Sequence, residues 1–307
     1  MIVADLSPSQ LGERLAGDGL WLQTGPVRVR IKSGFHRVAN GIALHYGAHS
    51  VDDNAQFADF HVSLTPAQNF RRWLRPQVFF HVDGDPPFKP LPADQAFPML
   101  EWGLNWCLSN HCHQYLIIHA AVIERNGRAL LLPAPPGSGK STLCAGLIHR
   151  GWRLLSDELA LIDPATAALH PIPRPVSLKN NSIEVIRRFA PDAVLGPIVH
   201  ETTKGQVAHM QPPQEAIRRS AESAMPGWIV LPRYEPDSPP RLEGLSRGNA
   251  FMQLAENAFN YNLHGRLGFE ALGRVIDNSA CYRFSYSRLE DAVEIFDDLA
   301  EQGGIAL

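Results

Sequence analysis

An α/β fold in two parts is what the sequence predicts, a small mostly β N-terminal domain over residues 1–95 and a larger α/β domain over 96–307. Three observations predict it. Residues 27–84 read as short strands separated by Gly, Asn and Asp turn residues. A Pro-rich connector, PPFKPLPAD, follows them. From residue 115 onward, apolar strand-like runs alternate with segments of helical period, and one run, LLLPAPPGSGKSTL (130–143), passes from strand through a glycine-rich turn into a helix.

In chain order, VRVRIK, GIALHYG, DFHVSL and QVFFHVDG read as the N-terminal strands. AFPMLEWGLNWCLSNHCHQ has bulky apolar residues at helical spacing and leads into the second domain. LIIHAAVIE and RALLLPA flank Asn126-Gly127, a dipeptide that favours a tight hairpin. KSTLCAGLIHRG is a helix, RLLSDELALID a strand pair or bent strand, and SIEVIRRFA a helix after HPIPRPVSLK. A polar, Pro-containing stretch runs to about residue 224. Then come strand GWIVLPRY, loop EPDSPP, helices RGNAFMQLAENAFNYNL and GRLGFEALGRVI, strand CYRFSYS and helix RLEDAVEIFDDLAEQ.

Composition limits the functions open to such a chain. With 307 residues, 45% hydrophobic and 19% charged, it can bury a substantial core. A net charge of -3 with dispersed Lys and Arg supplies no basic field, so nucleic acid is not an expected partner. The opening MIVADLSPSQ lacks a basic start with an apolar follow-on, and no apolar run reaches bilayer length; a cytoplasmic protein without membrane contact is expected. Cys107, Cys112, Cys144 and Cys281 are too few and too irregularly spaced for a disulfide framework and read as free thiols.

The glycine-rich turn carries the chemistry. Between a strand and a helix, such a turn aims successive backbone N–H groups into one concavity at a helix N-terminus, where phosphate is favoured. Pro136, Gly137, Ser138, Gly139, Lys140, Ser141 and Thr142 make that cradle for a nucleoside triphosphate. Lys140 reaches the β and γ phosphates, and the Ser141 hydroxyl can ligate a bridging Mg2+. The stretch runs A-P-P-G-S-G-K-S, with Ala134 where G-x-x-x-x-G-K-[ST] has its first glycine. Position 134 therefore either does without positive φ or alters the turn.

Asp157 follows Lys140 by only 17 residues, room for one short helix and one strand. Asp157 and Glu158 are neighbours on a strand, so they point to opposite faces unless a bulge intervenes. One can ligate metal while the other supports the strand, and which does so stays open. His119 lies 21 residues before Lys140 on the partner strand of the hairpin, whose pairing can bring it to the phosphate end.

The order histidine, hairpin, G-x-G-K-S, short helix ending HRGWRL and acidic pair resembles the catalytic domain of bacterial HPr kinase/phosphorylases. HAAVIERNGRALLLPAPPGSGKSTL, RLLSDELALID, PRPVSLKNNSIEVI and LAENAFNYNLHGRLGFE look like the family called HPr-kinase-related kinase A. The resemblance implies a phosphoenolpyruvate-carboxykinase-like P-loop fold, ATP with Mg2+, and transfer of the γ-phosphoryl group to a hydroxyl. It implies that His119 is the active-site histidine, Asp157 the catalytic aspartate and Gly137 to Ser141 the phosphate loop. Glu158 departs from the family's second aspartate, and Ala134 and Ala120 stand in place of glycines. The glycine-rich segment that governs phosphorolysis in the classical enzymes has no counterpart, and neither does their regulatory domain.

Phosphoryl transfer asks mainly for positioning and charge neutralisation. Lys140 neutralises developing charge, Asp157 orients or accepts the acceptor's hydroxyl proton, and His119 steers Asp157. Arg174 and Lys179 in PRPVSLK are the foremost candidates for a cation beyond the γ phosphate, with Arg233 next; each also reads as an ordinary surface charge. Glu256, Asn257 and Asn260 can face substrate, though an outward polar helix face is the favoured account of them. Cys107, His111, Cys112 and His113 invite a zinc reading, which their scatter round a helix and the lack of a second ligand cluster argue against. The acceptor is a protein serine or a small hydroxyl compound such as an amino acid or sugar. The alternative is a regulatory module that holds ATP without transferring phosphate, and either reading is compatible with a homo-oligomer.

Overall fold

The computed structural model describes residues 1–52, 54–68, 74–135 and 137–301. Among these residues the chain is mixed α/β with three sheets, of five, eight and three strands. Among the described residues, no helix is long and apolar enough to cross a membrane. Of the sequence expectations, Pro136 in the loop and Gln302 at the end of the last helix lie outside the described residues.

Helix α1 (Pro8–Ala16) opens with a capping box in which the Ser7 N–H donates to Gln10 Oε1 at 2.9 Å and the Gln10 N–H to Ser7 Oγ at 3.3 Å. Strands β1 (Leu20–Thr24) and β2 (Val27–Ser33) form a hairpin in which Val27, Val29 and Ile31 point inward. Helix α2 (His36–His45) carries the chain over to β3 (Phe60–Pro66), which lies parallel to β2. Strands β4 (Gln77–Val82) and β5 (Leu91–Pro92) complete the sheet in the order β1-β2-β3-β4-β5.

The expected strand GIALHYG is therefore wrong. Parallel neighbours need a crossover rather than a tight turn, and α2 supplies it, burying Val38, Ile42 and His45 on one face. Helix α3 (Ala96–His111) covers the sheet so closely that a Cβ on Gly103 would sit 2.3 Å from the Phe80 ring. It thus belongs to the core of the first sheet, to which Ile117, Leu159, Leu161 and Ile172 from farther along the chain also contribute. Cys107 and Cys112 are buried in that core, where burial pushes both thiols up to about 12.

The second part begins with the hairpin β6 (Leu116–Arg125) and β7 (Arg128–Pro133), followed by α4 (Lys140–Ile148). Strands β8 (Arg153–Ser156), β9 (Leu159–Ile162), β10 (Leu169–His170) and β11 (Val176–Lys179) lead to α5 (Asn181–Phe189). The stretch expected to be merely polar holds β12 (Val199–Thr202), β13 (Gly205–Met210) and α6 (Gln214–Arg218). The chain continues through β14 (Met225–Tyr234), β15 (Arg241–Gly244), α7 (Arg247–Glu256), α8 (Tyr261–Asp277), β16 (Ala280–Tyr286) and α9 (Leu289–Glu301).

The large sheet runs β10-β9-β6-β7-β14-β16-β15, with β8 also on β6, while β11-β13-β12 form the small sheet. β7 is buried on both faces, which explains its unbroken apolar run. Leu130 and Leu132 face α4 and α9, and Ala129 and Leu131 face α7 and α8. β7, β14 and β16 are parallel to one another. Their C-terminal ends lie together, the edge at which open α/β sheets present ligands.

The helix expected to run through AENAFNYNL breaks at 257–260 because β6 needs partners there. Below Ala120, β7 no longer covers β6, and this segment takes its place: His119 N–H donates to the Asn257 carbonyl (2.8 Å) and Phe259 N–H to the Ile117 carbonyl (2.9 Å). The buried Asn260 side chain accepts from Ile117 N–H at 2.9 Å and donates to the Tyr115 carbonyl at 2.8 Å.

Three buried histidines join the N-terminal layer to the small sheet. His45 stacks on Phe97 at 5.2 Å, His209 meets the same ring edge-on at 5.2 Å, and His49 Nε2–H donates to the Pro173 carbonyl at 2.9 Å. Burial pushes all three down, to about 4 for His45 and His49 and about 3 for His209, although Glu101 opposes this at His45 and His49. The folded protein keeps these rings neutral, whereas the unfolded chain protonates them near 6.5. Stability from them is therefore complete above pH 6.5 and declines as pH falls towards 3. Melting temperatures measured across pH should be level from pH 8 to 7 and fall between pH 6.5 and 5, above the range of ordinary carboxylates; a level profile down to pH 5 contradicts this.

Candidate functional site

The loop at the end of β7 is shaped by two glycines. Gly137 has φ 88° and Gly139 φ 89°, while Ala134 is not among the residues of positive φ. The alanine in place of the first glycine therefore brings no left-handed strain. Behind the loop, the Tyr286 hydroxyl donates to the Gly139 carbonyl (2.9 Å) and the Tyr234 N–H to the Ser138 carbonyl (3.0 Å). These tyrosines end β16 and β14, so the parallel strands beside β7 clamp the turn it feeds. A Cβ on Gly139 would lie 2.5 Å from the Tyr286 hydroxyl oxygen.

Lys140 is the first residue of α4 and is 7% exposed, yet its Nζ has no hydrogen-bond partner. Burial lowers its pKa, and the charges of Asp157 and Glu158 oppose that shift. Ser141 and Thr142 stand half-buried in the same first turn, and the Ser138 hydroxyl is buried without a partner.

Asp157 and Glu158 lie between β8 and β9, both of which pair with β6. The pairing with β6 keeps one register from Leu159 back to Ser156 and slips only beyond it, between Val122 and Ile123, so no bulge separates the two carboxylates, which stand in the bend between β8 and β9. Both line one crevice. Asp157 is buried, with Oδ2 accepting from Ser177 N–H at 3.1 Å and Oδ1 unpartnered. Burial and the neighbouring Glu158 charge raise its pKa, against the pull of Lys140. Burial would raise Glu158 as well, but Lys179, Lys140 and Lys204 together hold it low and ionised. Lys179 Nζ stands 3.6 Å from Glu158 Oε1.

His119 lies on β6, its ring 6.1 Å from that of Phe259. Burial, and then the Lys140 charge, pushes it down to about 4, so the imidazole is neutral near pH 7; Glu158 acts in the opposite direction. No hydrogen bond joins its ring to Asp157. The structure thus gathers Lys140, Asp157, Glu158, His119 and Lys179 into one electrostatic cluster.

Arg174 is placed differently from the expectation of a cation over phosphate. Its guanidinium donates to Glu101 Oε2 (2.8 Å), the Glu101 carbonyl (2.9 Å), Asn105 Oδ1 (2.8 Å) and the Tyr46 hydroxyl (3.4 Å). It is buried and engaged with α3 and α2. Arg233 is 79% exposed and pairs with Glu235 at 3.0 Å. Asn260 serves the backbone of β6, and Asn257 and Glu256 bond to Gln253, so none of the three forms a substrate face. Lys204, in the turn between β12 and β13, was not legible as a site residue; ETTKGQ reads as an ordinary polar turn.

Among the described residues, no group of three or more His, Cys, Asp or Glu could hold a metal. Magnesium beside a polyphosphate does not require one, since one or two carboxylates with phosphates and water suffice. The unpartnered buried atoms, Lys140 Nζ, Ser138 Oγ and Asp157 Oδ1, are a cation, a hydroxyl and a carboxylate oxygen, the donor set that suits a magnesium-bound anion.

The family model that matches the chain is described as SynChlorMet cassette protein ScmC and covers residues 98–190, about a third of the sequence. That segment contains His119, the loop and the acidic pair, but the model is not one of an HPr kinase family. No curated protein matches the chain. Among solved structures, the Hpr(Ser) kinase/phosphatase from Coxiella burnetii is similar at 11% identity with a TM-score of 0.25, over 61% of this chain and 99% of that one. The likeness is distant.

The packing of Arg174 yields a test. Breaking a buried ion pair from one side costs about 3–5 kcal/mol, so Arg174→Met and Glu101→Gln should each lower the melting temperature strongly in the absence of any ligand. An unchanged melting temperature in both variants would free Arg174 for another role.

Proposed function

We propose that the protein is an ATP-dependent phosphotransferase that passes the γ-phosphoryl group to the hydroxyl of an acceptor. One observation carries the reading: a buried lysine ammonium without a hydrogen-bond partner follows a turn of two left-handed glycines, within the field of an acidic pair of which Asp157 is buried and Glu158 half-buried. A buried ammonium whose hydrogen bonds are unmade is costly. A triphosphate over residues 137–142 relieves that cost for Lys140.

In this reading, the backbone N–H groups of the loop and the start of α4 bind the phosphates. Ser141, with Asp157 or Glu158, would hold magnesium, whose charge screens the phosphates when bound. Lys140 meets the charge that develops on the β–γ bridging oxygen. Asp157 takes the acceptor's hydroxyl proton as the new oxygen–phosphorus bond forms and the bond to ADP breaks. Its raised pKa makes it a better base than an exposed carboxylate. Glu158, held ionised by its lysines, keeps the floor of the site charged. His119, neutral and beside Lys140 and Glu158, orients the acidic pair without adding charge. The resemblance of the sequence to HPr-kinase-related kinase A supports the same reaction.

Calorimetry with Mg-ATP and product analysis with labelled ATP test the reading. Lys140→Ala should abolish measurable nucleotide binding. Asp157→Asn should retain binding and lose at least about a hundredfold in turnover, the lower range for a general base. Full turnover in Asp157→Asn, or undiminished binding in Lys140→Ala, would overturn it.

A further inference from the structure

The crevice at the acidic pair has a wall from each part of the chain. Trp102 and Asn105 of α3 face Asp157, Glu158, Ser177 and His209 across it. Its free volume is about 20 Å³, room for a single hydroxyl or water. Four buried polar atoms on these walls have no partner: Asp157 Oδ1, Ser177 Oγ, His209 Nε2 and Trp102 Nε1. Asp157 and His209 are buried to 4% and 3% exposure. So many unpaired groups around one narrow space call for a polar occupant.

Lys204 stands beside this crevice with its Nζ 5.2 Å from the centre of the Trp102 ring. Among the described residues it makes no ion pair, whereas Lys179 already lies on Glu158. Lys204 is solvent-exposed, and its ammonium is repelled by Lys179 and attracted by Glu158 and the ring face. The charges that act on Lys140 are chiefly Asp157, Glu158 and Lys179, whereas Lys204 acts on Glu158 and His119. Trp102 links Lys204 to the crevice that Asp157 and Glu158 line.

We propose that the acceptor is a small hydroxyl compound carrying its own oxyanion, a carboxylate or phosphate, which Lys204 holds beside Trp102 while the hydroxyl reaches Asp157 in the crevice. The proposal rests on the phosphotransferase reading and adds the acceptor's class. Trp102 and Lys204 come from the two walls, so specificity belongs to their junction. The narrow crevice admits the tip of a small molecule more readily than a folded protein surface. The same ammonium could instead serve the transferred phosphate, and the two sources of negative charge predict different variants' behaviour.

The test uses the full chain with Mg-ADP and three pairs of compounds that differ by one carboxylate: glycerate and ethylene glycol, lactate and ethanol, serine and ethanolamine. Melting temperature and calorimetry report binding. With Mg-ADP bound, at least one carboxylate member should raise the melting temperature while its neutral or cationic partner does not. Lys204→Met should weaken that compound about tenfold or more, the scale of one lost charge-assisted contact, and by a larger factor than it weakens Mg-ADP; Lys204→Arg should restore much of it. Equal binding of both members of every pair, binding by none, or an unaffected Lys204→Met overturns the proposal. A Lys204→Met that weakens Mg-ATP while leaving the carboxylate compound unaffected assigns Lys204 to the transferred phosphate and also overturns it. Phosphorylation of a serine peptide at the same rate in Lys204→Met does so too. Absence of Mg-ADP binding in the unaltered protein is a separate failure, that of the phosphotransferase reading.

Discussion

The backbone of β6 has to find hydrogen-bond partners along both edges, and the site is arranged by how it does so. On one edge it takes β9 and then β8, and Asp157 and Glu158, in the bend between those two strands, line one crevice. On the other it takes β7, which delivers the loop, and below Ala120 the 257–259 segment, which holds the backbone of His119. One strand thus sets the relative positions of the histidine, the acidic pair and the loop. Shifting its register by a single residue would turn His119 to the opposite face.

Around that frame, charge is balanced at close quarters. Three lysines, at 140, 179 and 204, surround two carboxylates in a partly desolvated space. The two acids respond differently because their surroundings differ. Asp157 is deeply enclosed and bonded to the Ser177 N–H, and its pKa rises; Glu158 has Lys179 at its tip and stays low. A neutral His119 leaves this balance undisturbed near pH 7.

Much of this was legible in the sequence, and the failures have physical causes. The hairpin at Asn126-Gly127, the loop and the short helix behind it were readable because turn chemistry and apolar runs act locally. GIALHYG was misread because its few apolar residues satisfy either period, and only the parallel pairing of β2 with β3 requires a helix there. The break at 257–260 had no local signal, since its cause is a gap beside β6 more than a hundred residues away in sequence. The same limit applies to the basic residues. Arg174 and Lys179 stand in one short motif, yet the first is engaged with Glu101 and the second with Glu158, a division set by α3. Lys204 sits in a turn without distinguishing pattern and gains meaning only from the ring of Trp102.

The buried contact between Arg174 and Glu101, reinforced by Tyr46, has a mechanical consequence. It fastens the N-terminal layer to the start of the strand that bears Ser177 and Lys179, so the wall formed by α3 cannot swing outward without stranding a charge in a dry interior.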